Sequence, residues 1–184
     1  MSLPVTEVER ELTHTRRVRY EGYKRSDGLW DIEGHLTDIK NHDYQLKTGV
    51  RRAGQPVHSM WLRLTIDHRL DIVDACASSE VVPYPGGCEA IAPQYRKLVG
   101  LNLAKDFRRN VQALLGGVRG CTHLTEMLAG MPTAAIQTFA GEMQEEREDG
   151  GKPFQLDQCH ALETSGETVR KWYPRWYRKD ESAA

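Results

Sequence analysis

The apolar pattern of this chain changes period once, at Pro83. Before that point apolar residues recur at every second position, and after it at every third or fourth. A period of two marks strands with one buried face; a period near 3.6 marks helices. The chain is therefore held to strands first and helices second. That order means an α+β fold, a four-stranded antiparallel sheet with helices packed on one face.

The strands read as follows. Residues 15–24 alternate and carry aromatics, and Ser26-Asp27-Gly28 gives a turn. Residues 29–39 place Trp30, Ile32, Gly34 and Leu36 on one face and Asp31, Glu33, His35 and Thr37 on the other, completing a hairpin. Residues 40–56 are polar and long for a connection, and long connections often carry function. His58 stands at their end, just ahead of a strand over 59–67 with Leu62, Leu64 and Ile66 on one face. A fourth strand covers 70–79.

After Pro83, the run Tyr84-Pro85-Gly86-Gly87 makes a stiff turn into a short helix over 88–97. A second helix is expected over 101–115, stopped by Gly116-Gly117. A third runs from Thr122 to about Glu148, with Pro132 breaking or kinking it near Met131. The charge run Glu145 to Asp149 and the pair Gly150-Gly151 end it. The organisation expected is a leader over 1–14, an α+β metal-binding domain over 15–149, and a C-terminal extension over 150–184 packed on that domain.

Lys and Arg number 25 against 26 Asp and Glu, so no net field draws the chain to nucleic acid or an anionic membrane. Lys171 to Arg178 mixes cations with aromatics, and reads as a terminal segment held by its rings rather than a nucleic-acid strand site. No apolar run reaches the ~20 residues of a membrane helix, and Met1 to Leu12 is acidic with no signal core. The expected location is the cytoplasm. Homo-oligomerisation is left open.

In that compartment four cysteines point to metal binding or catalysis before disulfides. Cys88 and Cys121 each follow glycines and precede a helical pattern, which puts a thiol at a helix start, where free N–H groups favour a thiolate. His123 lies two residues beyond Cys121. The ordinary reading of such a cysteine is a small buried hydrophobe, and Cys76, among alanines, is read that way. Cys159-His160 is a second Cys/His pair, of which at most one would ligate from a strand. Glu89 stands beside Cys88 as a general acid or base. The expected metal set is drawn from His58, Cys88, Cys121, His123, Cys159 and His160, with Glu89 and His123 moving protons.

Two resemblances accompany these residues. Trp61 to Asp67, the turn Pro83 to Gly86, the run Gly120-Cys121-Thr122-His123-Leu124 and the run Tyr173 to Tyr177 resemble recurring segments of a bacterial family of unknown function. More distantly, over roughly 50–140, Gly87-Cys88-Glu89-Ala90-Ile91-Ala92 and Cys121-Thr122-His123-Leu124 resemble segments of IscU-type iron–sulfur scaffold proteins. That resemblance implies an IscU-like fold and matches Cys88 and Cys121 to two of the three scaffold cysteines; no Cys stands near 56–58 for the first. The function expected is a metal-binding protein holding Zn²⁺ or Fe²⁺, a hydrolase or lyase acting on a small carbonyl-containing substrate. The alternative is a non-catalytic metal or iron–sulfur carrier.

Overall fold

The computed structural model describes residues 3–140 and 151–179. Residues 3–13 form no regular element and are exposed. The strands are β1 (His14–Lys24), β2 (Trp30–Lys40), β3 (Tyr44–Leu46), β4 (Gly49–Arg51), β5 (Pro56–Ile66) and β6 (Ile72–Val81). β1, β2, β5 and β6 form one antiparallel sheet in the order β1-β2-β5-β6, while β3 and β4 make a small hairpin inside the long connection. The helices follow: a 3-10 helix over Glu89–Leu98, then α1 (Phe107–Leu115), α2 (Thr122–Leu128), α3 (Met131–Phe139) and α4 (Glu167–Trp172). The α+β layout is the one expected from the change of period.

The inner face of β2 is buried at Trp30, Ile32, Gly34, Leu36 and Asp38, alternating with half-exposed neighbours. Across from it, β5 presents Leu64, Leu62 and Met60, each at most 1% exposed. Leu115, Leu124 and Met127 close the core from the helical side. Fully burying an aliphatic side chain contributes roughly 1.5–3 kcal/mol, so this layer is a large part of the core. Gly34 is what lets the helices come down: a Cβ there would stand 2.8 Å from Met127 Sδ and 2.8 Å from Met131 Cε.

The helical half departs from the expected boundaries where the second helix begins. Residues 101–106 are not helical. Leu101 O accepts the N–H of Ile72, and Leu103 N–H donates to Leu70 O, so the segment covers the start of edge strand β6. Asp106, at φ +50°, turns the chain into α1. The third helix is broken close to the expected point, at Ala129-Gly130, into α2 and α3. The Tyr20 ring fills the space a side chain at Gly130 would need, and Tyr20 Oη donates to Met127 O at 2.7 Å. Pro132 then falls in the first turn of α3, where its missing N–H costs nothing. The expected end of that helix, 141–148, lies outside the described residues.

The chain divides into two compact units, Met1–Thr138 and Phe139–Ala184. The division falls ahead of Gly150-Gly151. In the second unit α4 is flanked by 3-10 turns at His160–Leu162 and Pro174–Trp176. Asp157 organises its loop: Oδ1 accepts Thr164 N–H at 2.8 Å, and Lys152 pairs with Oδ2. Among the described residues no helix is long and apolar enough to cross a membrane.

Gly120 sits where α2 enters, its backbone against the carbonyl of Leu115 at the end of α1. An added Cβ would meet that carbonyl, which is backbone and cannot rotate away. Gly120→Ala is expected to cost about 1–3 kcal/mol, read as a lowered urea midpoint, whereas Gly54→Ala, in open space but at φ +81°, costs only the backbone strain of a positive φ, about 1 kcal/mol.

Candidate metal centre

Asp38 is the fifth residue of the buried face of β2 and only 4% exposed. The cross-strand register sets its neighbours: Arg16 of β1 on one side and His58 of β5 on the other. Directly paired residues of an antiparallel sheet project to one face, so all three point toward the helices. The register slips between Asp38 and Ile39, opposite His58 and Pro56, leaving Val57 as an extra residue. Such a bulge re-aims the side chain beside it.

The carboxylate is heavily bonded. Oδ1 lies 2.8 Å from His14 Nε2 and accepts Arg16 Nε–H at 2.8 Å; Oδ2 accepts Arg16 Nη2–H at 2.9 Å. Arg16 also reaches Glu126 on α2, Nη1 to Oε2 at 3.0 Å. Oδ2 stands 3.1 Å from His58 Nδ1 and 3.6 Å from His123 Nε2. The buried His58 Nδ1 makes no well-formed hydrogen bond, and its close contact with Oδ2 is electrostatic. The two imidazoles face each other with centroids 4.0 Å apart.

His123 arrives from the first turn of α2, whose start is pinned by Tyr95. That ring is fully buried on the 3-10 helix. Its Oη accepts Cys121 N–H at 3.0 Å and lies 3.1 Å from Cys121 O and 3.0 Å from Thr125 Oγ1. Cys121 Sγ is 3.9 Å from His123 Nδ1, so each nitrogen of His123 faces a different partner.

These contacts set the protonation states. Burial pushes the Asp38 carboxyl up, but the hydrogen bonds from Arg16 and His14, with the charges of Arg16 and His58, bring it to about 2. Burial pushes His58 down, helped by His123, with Asp38 opposing. A neutral His58 is the form that can ligate a metal. The hydrogen bond to Cys121 raises His123 against its burial. Burial raises the Cys121 thiol, but the bond to His123 and the N–H groups of Leu124 and His123 outweigh it and lower it.

Asp38, His58 and His123 offer ligand atoms all within 4.8 Å of one another, the group of this kind among the described residues. Of the residues expected from sequence, His58 and His123 come together and Cys121 bonds to one of them. Cys88, half-buried, begins the 3-10 helix as expected but is not in the group. Glu89 is spent on the turn before it, Oε2 accepting Gly86 N–H at 2.7 Å. Cys159 and His160 are exposed residues of the second unit. Cys76 is exposed, not packed: it opposes Arg63 on the outer face, while Ala75 faces inward. Asp38, Arg16, His14 and Tyr95 were not singled out by sequence. The available signal was the alternation of β2, which continues past Leu36 onto a carboxylate.

A family model described as a protein of unknown function (DUF2889) matches residues 14–137, a span holding all three residues of the group. No curated protein and no solved structure matches the chain, so the IscU-type resemblance has no match behind it.

In metal-free protein Asp38 carries a pH signature. Its folded carboxyl, near 2, lies below its ordinary 3.8. Its contribution, on the order of 2 kcal/mol, is present above pH ~4 and lost as pH falls toward 2. Urea midpoints measured from pH 6 to 2.5 should fall more steeply for the natural chain than for Asp38→Asn.

Proposed function

We propose, for a chain that belongs to the DUF2889 family, that Asp38, His58 and His123 hold one divalent transition-metal ion, Zn²⁺ or Fe²⁺. The observation that carries this reading is the meeting of three ligand atoms from β2, β5 and α2, one of them a buried imidazole nitrogen with no hydrogen-bond partner. Two imidazoles and one carboxylate form a ligand set used by both metals. Three protein ligands leave at least one coordination position open, as catalytic sites do. A metal bound there supplies a Lewis acid or an activated water.

The reaction class we propose for this site, on the Lewis acidity of such a metal, is hydrolysis or lyase chemistry on a small carbonyl-containing substrate. The chain's own groups have distinct duties. Arg16 and His14 fix the carboxylate, and Cys121 fixes the ring of His123, the kind of outer-shell support that ligating residues commonly have. A carrier of an iron–sulfur cluster would call on thiolates, and the group contains none. Reduced thiols at Cys76, Cys88, Cys121 and Cys159 suit a cytoplasmic location.

A second reading rests on one observation. Cys121 Sγ, His123 and Asp38 form a thiol–imidazole–carboxylate chain, with contacts of 3.9 Å and 3.6 Å. That order suits a cysteine nucleophile with a carboxylate orienting its base.

Untagged protein is expected to purify with close to one equivalent of zinc or iron by elemental analysis. Asp38→Asn, His58→Ala and His123→Ala should each retain less than a tenth of it. Cys88→Ser should retain all of it, and Cys121→Ser should bind about 10–100-fold more weakly. Natural protein that takes up neither metal would overturn the metal reading. Rapid alkylation of Cys121 by iodoacetamide, abolished in His123→Ala, would then favour the nucleophile.

A further inference from the structure

The hydrogen bonds of Asp38 restrict how a metal could use it. Oδ1 already faces two donors, His14 Nε2 and Arg16 Nε, each at 2.8 Å. An sp² oxygen has two lone pairs, so Oδ1 has none to give a cation. Oδ2 accepts one donor, Arg16 Nη2, at 2.9 Å, which leaves it one lone pair, and it faces both His58 Nδ1 and His123 Nε2. The carboxylate therefore offers one oxygen, and each imidazole offers one nitrogen. Three single donors leave one position on a four-coordinate ion and three on a six-coordinate one.

The open side of the cluster is the one solvent reaches. Side-chain exposure rises from 6% at Asp38 to 14% at His58 and 25% at His123. Arg16, at 37%, borders the same side. The charges there do not cancel. A divalent ion with one carboxylate keeps a net positive charge, and Arg16 adds another. Glu126, 58% exposed and 3.0 Å from Arg16 Nη1, offsets only one of the two.

We propose that this open side takes a small anionic oxygen ligand, a carboxylate next to a carbonyl or hydroxyl group, held on the metal and beside Arg16. This rests on the metal reading above. The carboxylate supplies the charge the site lacks. On a six-coordinate ion the neighbouring oxygen closes a five-membered chelate ring across two of the three open positions. A neutral carbonyl compound supplies neither. Glu126 is the counter-charge that limits how tightly such an anion binds.

The test uses the full chain with Co²⁺ as the metal and oxalate as the anion, with acetamide as a neutral carbonyl of similar size. Cobalt should give visible absorption bands with the natural chain and none with His58→Ala. Oxalate should shift those bands to saturation, while acetamide at equal concentration leaves them in place. Glu126→Gln keeps the side chain's length and an oxygen for Arg16 Nη1, and its melting curve checks the fold. It should weaken cobalt by a few-fold and, with cobalt held at saturation, tighten oxalate about threefold to fivefold at low salt, the size of one partly screened charge a few ångströms away. Absence of cobalt bands in the natural chain brings down the metal reading and this inference with it. Cobalt bands that oxalate does not move, that acetamide moves equally, or an oxalate affinity indifferent to Glu126, overturn this inference and leave the metal reading standing.

Discussion

A carboxylate buried at the end of a sheet's apolar face is the constraint on which the site depends. Taking Asp38 out of water costs several kcal/mol unless its charge is matched and its lone pairs are used. Arg16 does most of the matching: one planar fork from the neighbouring strand gives two hydrogen bonds at 2.8 and 2.9 Å. A lysine could not reproduce this, because it presents a point charge without the fork. Arg16 then extends to Glu126, so the same side chain ties the sheet to α2.

The placement of α2 depends on equally local causes. Gly120 lets the chain pass the end of α1, and Tyr95 takes both the N–H and the region of the C=O of Cys121. Gly130 ends the helix against Tyr20. Three points on a helix of seven residues, Thr122–Leu128, leave it little freedom to slide or turn. His123 is thus delivered to Asp38 by residues that never touch it.

How much of this could be read from sequence follows from the range of each signal. Alternation is local and strong, so the four strands and the inward set Trp30, Ile32, Gly34 and Leu36 were legible. The same pattern continues through Asp38, but a carboxylate in that position scores as the end of the apolar run rather than as its fifth member. His58 was legible as a candidate just ahead of a strand, and it lies inside β5, which begins at Pro56; the bulge at Val57 has no sequence marker. Cys88 stays outside the group formed by Asp38, His58 and His123 for a different reason. Both it and Cys121 do start helical segments, but a helix start fixes where a thiol lies along the chain and says nothing of what lies opposite. What lies opposite is set by β2–β5 register and by Tyr95, both contacts across long sequence separations.

The polarity of the cluster bears on why it exists. A buried ion pair is weak evidence for stability, because well-packed apolar residues of similar volume often serve as well or better. Leu36 and Met60, one row along the same strands, show that apolar side chains fit this interface. A device for fixing strand register would need one polar pair, and Arg16 with Asp38 would suffice. The row instead continues to His58, whose Nδ1 is buried without a hydrogen-bond partner, and on to His123, whose Nε2 turns to the same oxygen. Leaving a buried nitrogen unpaired costs roughly 1–3 kcal/mol. Packing and register offer no return for that cost; the proposed metal ion, bound by both nitrogens and Oδ2, is what would offset it.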